Sequence, residues 1–251
     1  MVNSIQSQTP QKKNAFHKGI SVLGQLQQHE LLQGLSSDAI VALSHHAKYE
    51  KYTVPTLLNS AYQELSHLRL VVEGYIEIAS SNAEGEEACI AVLGPGNWVT
   101  WLGCFDERPS PYHFYSSAKC KVVAIPCRHV REAADRHPEL YRLAIHMISD
   151  RFRLLMRWTT DASILSHERR VAQLLLLIAQ LNSESSDPVP TIFYTQDKLA
   201  VLARTTRQTL SRSLKVLEKQ GLIEVGYKKI NLLDAAGLKA FVEDILAPDE
   251  R

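Results

Sequence analysis

A chain of 251 residues, 45% hydrophobic and 22% charged, has the composition of an ordinary soluble globular protein and is long enough for two modest domains. Its longest strongly apolar run, residues 174–179, is far short of the roughly 20 residues a membrane-spanning helix requires, and its four cysteines, Cys89, Cys104, Cys120 and Cys127, lack the C-x-x-C spacing of metal or redox motifs and read as buried thiols. The net charge of +1 gives no nucleic-acid signature over the whole chain, so any electrostatic footprint has to be local.

Residues 1–20 are polar and rich in Gln, Ser and Lys, which predicts a flexible arm without the apolar core of a secretory signal, and hence a cytoplasmic protein of a bacterium. Leu31, Leu32, Leu35, Ile40 and Leu43, with Ser37 and Asp38 as candidate caps, predict short helices. From Tyr49 to Pro126 the pattern changes to short apolar segments, among them Leu68–Val72, Tyr75–Ile78 and Cys89–Leu93. Gly74, residues 82–85 and Gly94-Pro95-Gly96 punctuate them as turns. Many short strands without intervening helices predict an antiparallel roll or barrel.

After Pro138 the period lengthens to that of a helix running to about Ser163. Tyr141, Ile145, Ile148, Phe152, Leu155, Thr159 and Ala162 recur at steps of four and three, and Leu140, Ala144, Met147, Leu154 and Trp158 form a second stripe beside them. One stripe suffices to pack a helix on its own domain; a second points to a partner helix. Tyr141, Ile145, Ile148, Phe152 and Leu155 are therefore the predicted homodimer interface, the alternative being a helix buried within one subunit. Ser166 is a candidate N-cap for a helix over Glu168–Gln180, and residues 182–190 read as a loop.

Between Tyr194 and Gly221 the chain reads YTQDKLAVLARTTRQTLSRSLKVLEKQG. Thr195 can cap a short helix with Leu199, Val201 and Leu202 on its apolar side, and Thr206 can cap a second in which Leu210, Leu214 and Leu217 share one face. At 100° per residue, Arg207, Gln208, Ser211, Arg212 and Lys215 fall within about 140° of arc on the other side. Arg can bond guanine O6 and N7 in bidentate fashion, and Gln adenine N6 and N7, so this face is built like the recognition helix of a helix-turn-helix. Residues 198–229 contain eight basic and two acidic side chains, a local charge of +6. Leu222–Val225 and Ile230–Leu233 flank a basic tip, Gly226–Lys229, as the hairpin wing that touches the DNA backbone. A final amphipathic helix is predicted over Ala236–Leu246. Arg207, Gln208 and Arg212 are the candidate base readers, and Thr195, Thr206, Ser211, Lys215 and Lys228 the candidate phosphate contacts.

From Leu31 to Leu246 this arrangement resembles the Crp/Fnr family of bacterial transcription regulators, most specifically in Thr206–Arg212 with Leu214, Leu217-Glu218 and Gly221-Leu222-Ile223. The resemblance implies an α+β chain with a flexible arm (1–20), an antiparallel β-roll sensor resembling a cyclic-nucleotide-binding domain (21–137), a dimerisation helix (138–165) and a winged helix-turn-helix (166–251). It implies a homodimer on a two-fold-symmetric DNA site, with contact to RNA polymerase left open, and no membrane. Two departures stand out. Arg204 occupies a turn position that is often Gly in the family, and a non-Gly residue at positive φ costs roughly 1 kcal/mol. In place of the Gly-Glu-Leu and Arg-Ser motifs with which cyclic-AMP-binding members hold ribose and phosphate, this chain has Thr100-Trp101-Leu102 and Tyr112-His113.

The departures argue against cyclic AMP, whose hydroxyl and phosphate would be left unpaired. The absence of any cysteine before Cys89 argues against the N-terminal iron-sulfur cluster of the oxygen-sensing branch. Trp98, Thr100, Trp101, Leu102, Tyr112 and His113 remain as candidate effector-pocket residues. They are read as plain core, as a site for an apolar or aromatic small molecule stacked on Trp101, or, through His113 or a cysteine, as a haem site; the effector is unknown. Redox sensing by Cys104 or Cys120 lacks an electropositive neighbour at this level. The alternative function is a signalling module that binds a small molecule or haem and acts on a protein partner. No catalytic residues and no metal ligands are identified, because phosphate loop, nucleophile elbow and ligand spacing are all missing.

Overall fold

The computed structural model describes residues 20–243 apart from 83, 85, 86, 162–164, 183–189, 193, 227 and 228, and leaves the side chains of 154, 157–161, 181 and 182 undescribed. The predicted arm therefore lies outside the described residues except for Ile20, whose carbonyl accepts from the Tyr49 hydroxyl at 3.1 Å.

The chain enters through helix α1 (Val22–Gln27), a 3-10 turn (Glu30–Leu32) and α2 (Ser37–Ser44). The N-cap of α2 is Ser36, one residue before the expected Ser37: its hydroxyl accepts from Ala39 N at 3.3 Å. Strands β1 (Lys48–Tyr52), β2 (Thr56–Asn59), β3 (His67–Glu73), β4 (Ile76–Ser81), β5 (Glu87–Leu93) and β6 (Trp98–Val99) follow. Helix α3 (Trp101–Asp106) then interrupts a region for which strands alone were expected, before β7 (His113–Ser116) and β8 (Cys120–Pro126) complete the roll.

Among the described residues the roll is two four-stranded antiparallel sheets, ordered β1-β8-β3-β6 and β2-β7-β4-β5. The two-residue period of a strand sorts its side chains between two cores. From the central strands β3 and β8, Val71, Val122 and Ala124 join Ile76, Leu93 and Phe114 of the second sheet between the layers. Leu68, Leu70, Val123 and Ile125 turn the other way, under a helical layer that supplies Leu26, Leu32, Leu43, Val130 and Leu140. At the β3–β4 turn Gly74 has a φ of 74°, and a Cβ there would lie 2.6 Å from Ser117 Oγ and 2.9 Å from Cys120 Cα, so both handedness and space require glycine.

Helix α4 (Cys127–Arg136), which the strand-dominated reading did not anticipate, leads into the long α5 (Glu139–Asp161). Leu140 and Ala144 of α5 are buried against the roll, whereas Ile145 and Phe152 on the neighbouring stripe are 62% and 60% exposed. Thr159, Ala162, Leu154 and Trp158 of the two predicted stripes are outside the described side chains.

The C-terminal unit comprises α6 (His167–Asn182), β9 (Thr191–Ile192), α7 (Gln196–Leu202), α8 (Arg207–Lys219), β10 (Ile223–Gly226), β11 (Lys229–Leu232) and α9 (Ala235–Glu243). Ser166 Oγ accepts from Arg169 N at 3.4 Å at the start of α6. Val171, Leu175 and Ile178 of α6 share a core with Leu199, Leu210, Leu214, Leu217, Ile230 and Leu238. The wing is wider than expected: β9 adds to β11, making the order β10-β11-β9.

Candidate nucleic-acid interface

Two side-chain caps build the bihelical unit. Thr195 Oγ1 accepts from Lys198 N at 3.3 Å and Thr206 Oγ1 from Thr209 N at 3.2 Å, each satisfying an amide that the first turn of a helix leaves open. Between the helices the backbone turns through Arg204, whose φ of 49° is left-handed. Leu210, Ser213, Leu214 and Leu217 are buried, which fixes the rotation of α8. Arg207, Gln208, Arg212 and Lys215 are in consequence exposed, with Ser211 half-buried beside them.

The charges on this face are unequal. Arg207 Nη1 lies 3.5 Å from Asp197 Oδ1 of α7, both side chains being 68% exposed, so a screened acid accompanies the first guanidinium. The periodicity of α8 alone did not reveal that acid, because it comes from the preceding helix. Arg212 and Lys215 have no ion-pair partner among the described residues. The wing strands pair antiparallel from Ile223–Leu232 to Gly226–Lys229, and Glu218 Oε1 accepts from Val225 N at 3.0 Å, joining the recognition-type helix to the wing. Lys228, the predicted wing contact, lies outside the described residues.

Residues 169–241 match the Crp-like helix-turn-helix domain family, and residues 56–137 match the cyclic nucleotide-binding domain family. The chain belongs to the Crp/Fnr family. It is thus a DNA-binding transcription regulator of the Crp/Fnr type, and such regulators are not enzymes. Among characterised Crp-type relatives, the cAMP-activated global transcriptional regulator CRP of Haemophilus influenzae is 25% identical over 187 residues, 74% of this chain and 84% of that one. The cAMP-activated regulator Vfr of Pseudomonas aeruginosa is 27% identical over 186 residues, 72% of this chain and 86% of that one. Of solved structures, FixK2 from Bradyrhizobium japonicum superimposes with a TM-score of 0.63 at 17% identity, over 77% of this chain and 96% of that one. A CRP/FNR-family transcriptional regulator from Thermus thermophilus gives 0.56 at 21% identity, over 78% and 98%. The two structures share the fold. No helix among the described residues is long and apolar enough to cross a membrane.

In this Crp/Fnr chain the six candidate effector residues are not gathered about one cavity. Trp98 and Trp101 are buried in the core beneath the helical layer, their ring centroids 5.5 Å apart, and Phe105 and Tyr141 continue the aromatic series to α5. Thr100 has a φ of 77° and donates its hydroxyl to His67 O at 2.6 Å. Leu102 and Tyr112 are exposed. His113 sits on the other sheet with both ring nitrogens engaged: Nδ1 accepts from Ala61 N at 3.2 Å and Nε2 lies 3.1 Å from Ser81 Oγ.

One contact between the roll and the C-terminal unit was not visible in the sequence. The β4–β5 hairpin of the roll docks on the helix-turn-helix: Tyr194 Oη accepts from Val92 N at 2.6 Å, and Lys198 Nζ pairs with Glu77 Oε2 at 2.5 Å. Cys89 and Val92 of β5 lie in the same apolar cluster as Leu199 and Ala200 of α7. Burial, with the Glu77 carboxylate nearby, pushes the Cys89 thiol up to about 12 and keeps it neutral. The only hint in the sequence was an aromatic hydroxyl immediately before the Thr195 cap.

Proposed function

We propose that two copies pair along α5 and place two α8 helices roughly 34 Å apart in successive major grooves of a two-fold-symmetric operator. In this reading the functional units are the roll (21–137), the pairing helix (138–165) and the DNA-reading unit (166–251). Arg207, Gln208 and Arg212 read base edges, and Thr195, Thr206, Ser211, Lys215 and Lys228 hold phosphates. The observation that carries the reading is the rotation of α8: its leucines are buried and its guanidiniums and carboxamide face solvent.

Cyclic AMP is not the controlling ligand in this reading, although relatives are named for their activation by it. The Thr100-Trp101-Leu102 segment offers no carboxylate to a ribose, and the Thr100 hydroxyl is committed to His67 O. Near Tyr112-His113 there is no guanidinium in the sequence position where the phosphate would be met.

The test is selection of bound sequences from a random duplex pool, carried out with the wild type and Arg212→Ala. The wild type is expected to return a symmetric site. Arg212→Ala is expected to lose about 1–3 kcal/mol on that site and to relax preference at one position of each half. Unchanged discrimination at every position would refute the assignment of Arg212.

A further inference from the structure

The four cysteines are all buried, but their surroundings divide them. Burial pushes the Cys89 and Cys120 thiols up, as expected of inert core thiols. Cys104 and Cys127 form a pair. Cys104 lies in α3 and Cys127 is the first residue of α4, and the Cys104 Sγ is 3.9 Å from the Cys127 carbonyl oxygen. This contact sets the two residues side by side where α3 meets the start of α4.

A guanidinium stands beside the pair, its charge partly balanced by a carboxylate. Arg131, one turn further along α4, donates from Nη1 to the Cys104 carbonyl at 2.8 Å and pairs with Glu107 at 3.1 Å. Cys127 also stands at the amino end of a ten-residue helix, where the backbone dipole favours an anion. The Cys104 side chain draws the Cys127 thiol below its ordinary range, Arg131 and Arg69 act in the same direction, and burial opposes them. The nearness of Cys127, together with burial, pushes Cys104 up. Of the two, Cys127 is the one that borders a cavity, and so the one a solute meets first. Cys127, Gly103, Glu107, Arg128 and Arg131 border a cavity of about 240 Å³, against the roughly 30 Å³ that a water molecule occupies in the liquid. A small polar oxidant therefore has room to approach the pair from the Cys127 side.

We propose that Cys127 and Cys104 form a dithiol site oxidised by hydrogen peroxide, with Cys127 as the attacking sulfur and Cys104 as the resolving one. The Cys127 thiolate attacks one peroxide oxygen, the O–O bond breaks, and the departing hydroxide takes up the proton released by the thiol, giving water and a Cys127 sulfenic acid. The Cys104 sulfur then attacks Cys127 Sγ. The S–O bond breaks, and the hydroxyl leaves with the Cys104 proton as a second water. Two sulfurs lose two electrons in all and one peroxide is reduced to two waters. The resulting disulfide ties α3, which begins directly after the left-handed Thr100, to the helix that leads into α5. This chemistry requires neither DNA nor a partner subunit.

The experiment uses the reduced full-length chain and hydrogen peroxide. Free thiols, counted after unfolding in denaturant, are expected to fall from four to two. Peptide mapping without reductant is expected to show Cys104 joined to Cys127. Iodoacetamide should alkylate Cys127 in the native protein at least tenfold faster than Cys89 or Cys120. Cys104→Ser should leave a Cys127 sulfenic acid that dimedone captures, and Cys127→Ser should retain its three thiols. A disulfide between any other pair, loss of the Cys127 thiol without a link in the wild type, or no thiol loss under conditions that oxidise the unfolded chain would each overturn the proposal. The wild-type mapping decides the matter even if a variant does not fold.

Discussion

At Arg204 the backbone turns between α7 and α8 with a φ of 49°, and the side chain is exposed. The left-handed region costs an ordinary L-residue roughly 1–2 kcal/mol, and no buried packing at this side chain offsets that cost. The left-handed cost exceeds the entropy, about 0.4–1 kcal/mol, that the unfolded glycine gains, so Arg204→Gly is expected to stabilise the protein by about 0.5–1 kcal/mol net. An unchanged or lower urea midpoint would contradict this account of the turn. His29 shows the opposite kind of constraint. Its Nε2 lies 2.8 Å from the Gly96 carbonyl, while Nδ1 is buried without a hydrogen-bond partner beside Trp98. Burial holds the imidazole below its ordinary value near 6.5, the Gly96 bond opposing only in part. The folded protein thus binds its proton more weakly than the unfolded chain, so stability should fall as pH drops through 6.5 towards the lower folded value. His67, also lowered by burial, adds to the same trend. The urea midpoint of the wild type should decrease from pH 7 to 5.5 more steeply than that of His29→Gln, and equal slopes would show that His29 is not responsible.

Helix α8 was legible from sequence because its cap, its leucine spacing and its basic face lie within thirteen residues and reinforce one another. Helices α3 and α4 were not. The first has six residues with a glycine within it, and the second follows Pro126 with no side-chain cap, so neither carries the start signals that mark a helix. Overlooking them separated Cys104 from Cys127 and hid the guanidinium of Arg131, which is why the cysteines read as ordinary core. Helix α5 was legible in its extent, but its stripes divide only in part: Tyr141 of the expected pairing stripe packs against the core of the roll and Ile148 is half-buried. Leu140 and Ala144 face the roll, and Ile145 and Phe152 face solvent in the isolated chain. Fully burying one such side chain is worth about 1.5–3 kcal/mol. A two-fold interface uses each side chain twice, so losing Phe152 forfeits at least about 3 kcal/mol, which corresponds to a dimer dissociation constant raised more than a hundredfold. Phe152→Glu should therefore sediment as a monomer at micromolar concentration while retaining its helical circular dichroism. A dimer of unchanged stability would place the pairing surface elsewhere.

At the scale of the molecule, the contact between roll and DNA-reading unit is the feature that local sequence patterns could not supply, since Tyr194 and Val92 are 102 residues apart and neither lies in a motif. The hairpin meets the C-terminal unit in three ways: the bond to Tyr194 just before the α7 cap, the Glu77–Lys198 pair, and the apolar clustering of Cys89 and Val92 with Leu199 and Ala200 of α7. The ion pair is partly exposed and contributes little on its own, whereas the tyrosine hydroxyl is buried. Removing that hydroxyl while keeping the ring isolates its contribution, because the Val92 amide loses a close acceptor in a place that water does not readily reach. Tyr194→Phe is expected to lower stability by about 1–3 kcal/mol and to speed amide exchange in β5 and α7 together, with the α1–α2 region unaffected. Faster exchange in α7 alone would mean that the hydroxyl supports only its own unit. Parallel loosening of both would show that the β4–β5 hairpin and the helix that precedes α8 are stabilised together across this contact.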